Sequence, residues 1–335
     1  MNLARWITAL LLCIGMSTAA AGSLFEDDAP LAATLEGPVQ TLIDDVKDRA
    51  RHSMKLTVDG HTYPIEASVR GKSRTRVCEF PPIRLYFDED SVAGTLFEGQ
   101  DKLKLVTHCR NHDPGELNLV DEYAAYRVLG VLTEVSYRTR LLRIMYADTD
   151  GRLDSGARER YGFLLESRDE IAARIGGEKA DVGGVRLSEL AQDHVALMYV
   201  FEYLIGNTDW SLVTSLDDEE CCHNMDLIRV DGKIFPIPYD FDLAGIVDAP
   251  YAKPDPSLRI KNVKRRRYRG YCIDEDVLRG ALGAVRDREQ DIIAAVREIP
   301  GDQDEIDRIV SYLAGFFREA ENEDKLLARF ERRCL

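Results

Sequence analysis

The hydrophobic pattern changes its period near Ser188, and this change limits the folds that the chain can adopt. Between residues 55 and 166, apolar residues alternate with polar ones in several short runs, which is the period of a strand with one buried face. From Ser188 onward, apolar residues recur every three or four positions, which is the period of an amphipathic helix. The sequence therefore predicts a β-rich region followed by a helical region.

Turn and cap residues place individual elements within these regions. Asp59-Gly60 and Asp231-Gly232 each predict a hairpin between two strands. Gly206 is expected to end the helix that begins after Ser188. Further strands are predicted at 83–87, 102–107, 138–146 and 161–166, and further helices at 37–53, 118–129 and 274–335.

The first 21 residues have the composition of a signal peptide. Arg5 precedes an apolar run that is too short to span a bilayer, and small residues ending in Ala21 follow it. An exported protein, periplasmic or secreted, is therefore expected, with no transmembrane segment in the mature chain. The domains predicted from these patterns are a signal peptide at 1–21, a tether at 22–36, a β-rich lobe with one embedded helix at 37–166 and a helix-rich lobe at 167–335.

The cysteine content and the net charge indicate which bonds and partners are expected. Of the seven cysteines, Cys13 lies in the predicted signal peptide, and the even number that remains predicts disulfides in an exported chain. The pairing stays open, and a zinc site at His108, Cys109 and His112 is a less favoured alternative. A formal net charge of −15 argues against nucleic acid as a partner, because phosphate repels such a surface.

Polar residues flank the second predicted hairpin. Asn207-Thr208-Asp209 follow the helix that ends at Gly206, Asn224 precedes the hairpin, and a Tyr-Asp-Phe-Asp run at 239–242 comes after it. Phosphoryl transfer needs a carboxylate that orients the attacking hydroxyl, and oxygen ligands that hold Mg²⁺ across the phosphates. Each residue alone could be an ordinary turn residue, but their order around a hairpin favours such a site.

These segments resemble the CotH kinase-like family, an exported relative of protein kinases with distant similarity to HipA-type and Fam20-type kinases. The resemblance covers roughly residues 65–275 and includes the arginine-glycine turn at 69–74. It implies an α+β, two-lobed protein-kinase-like fold with a β-rich N-lobe and a helical C-lobe. It also implies that Asp209 is the catalytic aspartate and that Asn224 binds metal together with Asp240 or Asp242.

The resemblance further implies a nucleotide-anchoring lysine on a strand before the helix that carries Glu122. Lys104 fits this position best, and Arg84 is a weaker candidate. An ion pair between Lys104 and Glu122 would hold the α- and β-phosphates of ATP. The turn that contains Arg70 and Arg74 could approach phosphate as well, although a solvated basic loop is an equal alternative.

Two functions remain open at this point. The first is an exported phosphotransferase, dependent on Mg²⁺ or Mn²⁺, that moves the γ-phosphoryl of ATP to a hydroxyl, with protein Ser or Thr as the favoured acceptor. The second is a catalytically silent kinase-like module that binds an envelope or extracellular partner. Seven cations between Arg259 and Arg269 could capture an acidic or phosphorylated substrate, or they could be a solvated face that balances acids elsewhere.

Overall fold

Seven strands in the N-terminal half close into a barrel. The computed structural model describes residues 24–212 and 221–335, so the predicted signal peptide at 1–21 lies outside the described residues. The strands are β1 (Leu31–Gly37), β2 (His52–Val58), β3 (His61–Val69), β4 (Ile83–Phe87), β5 (Lys102–Val106), β6 (Thr139–Asp148) and β7 (Glu159–Leu165). The order around the barrel is β1-β2-β3-β4-β5-β7-β6, and β6 returns to β1 as a parallel neighbour.

The predicted α+β, two-lobed protein-kinase-like fold, with its β-rich N-lobe and helical C-lobe, is wrong. Such a lobe is built on an open sheet, whereas here β1 joins β2 on one side and β6 on the other and leaves the sheet closed. The closing strand overlaps the tether predicted at 22–36. Within it, Leu31, Ala33 and Leu35 are buried and alternate with more exposed residues, so β1 contributes to the barrel interior.

Two hairpin predictions are confirmed, and one helix prediction is too long. Asp59-Gly60 joins β2 to β3, as expected from its turn chemistry. The helix predicted at 37–53 is only α1 (Val39–Asp44). It ends there because the Asp45 carboxylate accepts hydrogen bonds from the backbone N–H groups of residues 48–50 and so replaces the helical pattern.

A few helices pack against the barrel, and most of the others build the C-terminal half. Short helices α2 (Arg74–Val77) and α3 (Glu89–Val92) lie between barrel strands, and α4 (Asp113–Leu132) is the embedded helix. Gly206 ends α6 (Gln192–Ile205) with φ 70°, a backbone conformation that glycine adopts readily, which confirms the predicted cap. The remaining helices are α5 (Arg168–Arg174), α7 (Glu275–Asp287), α8 (Glu289–Arg297), α9 (Gln303–Ala320) and α10 (Glu323–Glu331).

A second sheet lies beside α6. It has the order β10-β9-β8, formed by β8 (Glu178–Lys179), β9 (Met225–Val230) and β10 (Lys233–Pro238). The β9–β10 hairpin confirms the turn predicted at Asp231-Gly232 and pairs Met225 with Pro238 at its open end. This pairing brings the segments before β9 and after β10 together, and both carry predicted site residues.

Three cysteine pairs lie at disulfide-bonding distance: Cys78 with Cys109, Cys221 with Cys222, and Cys272 with Cys334. They are compatible with the expected disulfides and with an exported protein. The zinc alternative fails, because the Cys109 sulfur is bonded to Cys78. None of the helices described within 24–212 and 221–335 has the length and apolar content that a bilayer crossing needs.

Candidate functional site

Arg74 joins three carboxylates in one cluster. Its Nη2 donates to Glu122 Oε2 at 2.6 Å and to Asp240 Oδ1 at 3.0 Å, and its Nε donates to Asp242 Oδ2 at 3.0 Å. The Arg74, Glu122 and Asp242 side chains are buried, whereas that of Asp240 is 40% exposed. The cluster therefore connects the turn after β3, helix α4 and the segment after β10.

The charges of this cluster do not balance. One guanidinium serves three carboxylates, so an excess of negative charge remains when all four groups are ionised. Burial raises the pKa of Glu122 and of Asp242; Arg74 acts against this, and the neighbouring carboxylates add to it. Burial alone would lower the pKa of Arg74, but the three carboxylates raise it well above its usual value. Arg74 therefore stays charged and is the counter-ion that the buried carboxylates share.

Asp209 and Asn224 form a second pair. The Asn224 Nδ2 donates to the backbone carbonyl of Asp209 at 2.7 Å and to Asp209 Oδ2 at 3.0 Å. The backbone N–H of Asp209 donates to Asn207 Oδ1 at 2.9 Å, and His223 Nε2 lies 3.1 Å from Asp209 Oδ1. Each carboxylate oxygen of Asp209 thus has its own polar neighbour, so the orientation of the carboxylate is fixed.

The open end of the β9–β10 hairpin links the two groups. The backbone N–H of Tyr239 donates to the carbonyl of Asn224 at 3.1 Å, so Asn224 lies directly beside the segment that carries Asp240. The backbone N–H of Asp240 in turn donates to the Tyr126 hydroxyl at 3.0 Å. The structure thus brings Asp209, Asn224, Asp240 and Asp242 into one connected region, as their order around a hairpin predicted.

Lys104 lies in a different environment from the one expected. Its Nζ is 5.2 Å from the ring centroid of Tyr239 and 5.5 Å from that of Tyr137. The expected ion pair with Glu122 is not among the contacts of the described residues, because Glu122 pairs with Arg74. Burial lowers the pKa of Lys104 to about 8, and repulsion from Arg70 contributes to the shift.

A small basic cavity lies between these groups. Its volume is about 40 Å³, which is room for a few water molecules. The buried Nε of Arg70 has no hydrogen-bond partner among the described residues, and burial lowers the pKa of Arg70. Positively charged lining residues are Arg70, Lys72, Arg74 and Lys104, and the acidic ones are Glu122 and Asp240.

A larger groove of about 340 Å³ adjoins this cavity. The two share Lys104 and Leu165 as lining residues. Binding sites for small molecules commonly measure about 300–1,000 Å³. The groove is large enough for such a ligand, whereas the cavity is not. The rest of its lining comes from Arg84, Lys102, Leu103, residues 166–169, Lys179 and Asp226.

Sequence reasoning missed the residues that connect the site. Arg74 was considered only as a phosphate contact, yet it is the counter-ion of all three carboxylates. Tyr126 could have been found, because it lies four positions after Glu122 and therefore on the same face of α4. Tyr137, whose hydroxyl donates to Asp226, comes from the loop before β6, and no local pattern marks it.

The donor set fits a hard divalent cation, although no complete cage is formed. Among residues 24–212 and 221–335, no group of three or more His, Cys, Asp or Glu side chains has the arrangement of a metal site. Asn224, Asp240 and Asp242 supply amide and carboxylate oxygens. Magnesium is commonly held by one or two carboxylates together with water and substrate phosphates, which this donor set could supply.

Comparisons with known proteins add no relative. No protein-family model matches the chain, and a search of curated proteins finds no match. The resemblance to the CotH kinase-like family therefore stays a prediction, supported by the motifs alone.

Proposed function

We propose that the chain is an exported phosphotransferase that moves the γ-phosphoryl of ATP to a hydroxyl, with protein Ser or Thr as the acceptor. The observation that carries the proposal is the convergence of four separate segments in one polar region: the turn at 70–74, helix α4, the turn at 207–209 and the run at 239–242. A relation of these motifs to the CotH kinase-like family is part of the proposal; a kinase-like fold is not.

Asp209 is the proposed catalytic aspartate. The acceptor hydroxyl needs a carboxylate that orients it for attack on phosphorus. Asp209 Oδ2 accepts from Asn224 and Oδ1 faces His223, so the carboxylate is held in one position before the substrate arrives. Such preorganisation supports catalysis, because little orientational freedom is then lost on binding.

Asn224 would hold Mg²⁺ or Mn²⁺ together with Asp240 or Asp242. When bound, the ion would neutralise charge that develops on the transferred phosphoryl group. The support for this role is the donor set: the β9–β10 hairpin brings Asn224, with its amide oxygen, beside the segment that carries the carboxylates of Asp240 and Asp242. Asp240 is the more accessible of the two aspartates, and Asp242 has the more buried side chain.

Lys104 and Arg70 are the proposed contacts to the nucleotide phosphates. Within the described residues, no carboxylate forms an ion pair with Lys104, and the Arg70 Nε has no partner, so both can bind an incoming anion. The groove beyond Lys104 offers space for the base and the ribose. The small cavity is too narrow for a triphosphate, so binding requires the turn at 70–74 to move outward.

A specific observation favours the alternative, a catalytically silent binding module. Arg74 already bonds to both Asp240 and Asp242, and thus occupies the space between the proposed metal ligands. A module that never binds nucleotide would be stabilised by such an internal counter-ion. The two proposals therefore differ in whether a metal-bound nucleotide can compete with Arg74.

The test is thermal unfolding of the oxidised chain with ATP, with Mg²⁺ or Mn²⁺, and with both. A specific complex stabilises the folded state by about 2.7 kcal/mol at a hundredfold excess over Kd. We expect a shift in Tm that needs both ATP and metal and that disappears in Asp240→Asn and Asp242→Asn. Asp231→Asn, at the exposed tip of the same hairpin, is the matched control and should keep the shift. No shift at millimolar ATP with either metal would favour the silent module.

A further inference from the structure

The run of cations between Arg259 and Arg269 is divided between structural and exposed positions. Arg266 donates from Nε to the Leu204 carbonyl at 3.1 Å and from Nη2 to the Tyr312 carbonyl at 2.6 Å. Lys264 forms an ion pair with Asp248 at 2.8 Å. These two cations hold the segment against the helical half of the protein. They explain part of the run without any ligand.

Three further arginines of the segment are Arg265, Arg267 and Arg269, and two buried residues adjoin them. Tyr268 and Gly270 are buried, and Tyr268 stacks on Phe330 with ring centroids 4.3 Å apart. Arg265 is exposed, and Arg267 and Arg269 are half-buried. These three arginines are called the arginine stripe below.

The arginine stripe begins at the proposed catalytic residue. Arg269 donates from Nη1 to the backbone carbonyl of Thr208, the residue directly before Asp209. Arg267 and Arg265 continue from there, so the stripe leads away from Asp209. An acceptor whose hydroxyl lies at Asp209 would therefore have its flanking residues close to these guanidinium groups.

The exposed cations of this region lack internal counter-ions. Among residues 24–212 and 221–335, no carboxylate forms an ion pair with Arg265, Arg267 or Arg333. Burial lowers the pKa of Arg267, and the like charge of Arg333 lowers it further. In a chain with a formal net charge of −15, a cluster of unpaired cations favours an external anion.

We propose that the arginine stripe binds an acidic protein segment, rich in carboxylates, that carries the acceptor hydroxyl; this inference rests on the proposed phosphotransferase function. Guanidinium groups match carboxylates with two parallel hydrogen bonds. The three arginines lie within five consecutive residues, so one short acidic peptide can present a carboxylate to each of them.

The test is binding of fluorescent serine peptides to the oxidised chain without nucleotide. The peptides are flanked by glutamate, by glutamine or by lysine. We expect the glutamate peptide to bind at least tenfold more tightly than the glutamine peptide, with affinity that falls as salt increases. Arg265→Glu combined with Arg267→Glu should abolish this preference. Arg269 is left in place because it contacts Thr208.

The matched control is Lys47→Glu combined with Arg158→Glu, the same change of charge at two exposed positions on the barrel half. It should bind the glutamate peptide as the unmodified chain does. Equal binding of the glutamate and glutamine peptides, or an undiminished preference after reversal of the stripe, would overturn the proposal. So would binding to anionic lipid vesicles with no binding of peptide.

The outcome is independent of the nucleotide site. If the glutamate peptide binds but ATP and metal never shift Tm, the phosphotransferase function fails and the docking surface stands. ATP and metal could instead shift Tm equally in the stripe variant and in the unmodified chain, while the glutamate peptide binds no more tightly than the glutamine peptide. In that case only the proposed docking surface is rejected.

Discussion

Arg74 Nη2 donates a hydrogen bond of 2.6 Å to Glu122 Oε2, although the two residues are 48 positions apart in the chain. The turn after β3 thus supplies the counter-ion of the α4 glutamate, in the place where a strand lysine was expected. Because the same guanidinium also bonds to Asp240 and Asp242, one side chain joins the barrel to the helical half. Its loss should therefore affect both stability and ligand binding.

The first prediction concerns this cluster. Arg74→Met should lower the free energy of unfolding by about 3–5 kcal/mol at pH 7, because two buried carboxylates lose their counter-ion. Chemical denaturation measures the change. Arg297→Met is the control: its ion pair with Asp307 is exposed, and its loss should cost no more than about 1 kcal/mol. Similar effects of both substitutions would contradict the role given to Arg74.

The second prediction concerns acid stability. Burial lowers the pKa of His194 to about 4, so the folded state keeps it neutral, whereas the unfolded chain takes up a proton below about 6.5. Unfolding therefore binds a proton between these values, and stability falls as the pH falls from about 6.5 to 4. His194→Gln, which can still donate to the Pro236 carbonyl, should make this fall shallower by up to about 1.4 kcal/mol per pH unit.

Denaturation curves at several pH values measure this slope. His61→Gln, at an exposed position in β3, is the control and should leave the slope unchanged. An identical slope in the unmodified chain and in His194→Gln would show that this histidine does not contribute to acid sensitivity.

The third prediction concerns chemistry. Asp209→Asn should reduce phosphoryl transfer to a serine peptide by about 10²–10⁴-fold, since the carboxylate that orients the hydroxyl is lost. The metal-dependent Tm shift with ATP should persist, because Asp209 does not contact the nucleotide in the proposed arrangement. Transfer of label from γ-labelled ATP measures the rate, with Asp231→Asn as the control. A rate within tenfold of the unmodified chain would rule out Asp209 as the catalytic aspartate.

The fourth prediction concerns disulfides. Cys272 and Cys334 are 62 positions apart, so their bond removes much conformational freedom from the unfolded chain. Replacing both by serine should cost about 4 kcal/mol in the chain-entropy treatment. The same replacement at Cys221 and Cys222, which are neighbours in the chain, should cost far less through this term. Equal losses in denaturant unfolding would contradict the argument.

Local features of the fold could be predicted because local physical chemistry determines them. Asp59-Gly60 and Asp231-Gly232 form hairpins since both turns suit positive φ values, and Gly206 ends α6 for the same reason. The β9–β10 hairpin also explains why Asn224 and Asp240 could be placed together from their order alone.

Closure of the barrel could not be predicted in this way. It depends on the parallel pairing of Leu31 with Leu142, and no local pattern reveals which remote strands will meet. The predicted counter-ion of Glu122 was wrong for a similar reason. Arg74 reaches Glu122 from a turn whose path the sequence does not specify. The sequence alone indicates neither which distant strands pair nor which distant side chains come into contact.

The position of β1 also has a consequence for the order of folding. This strand is among the first parts of the barrel to be synthesised, but its neighbour β6 follows only after β2 to β5 and α4. Until β6 emerges, one side of β1 has no pairing partner, and the nascent barrel exposes an open strand to other chains. Folding of the N-terminal half is therefore expected to be slow and to be completed late.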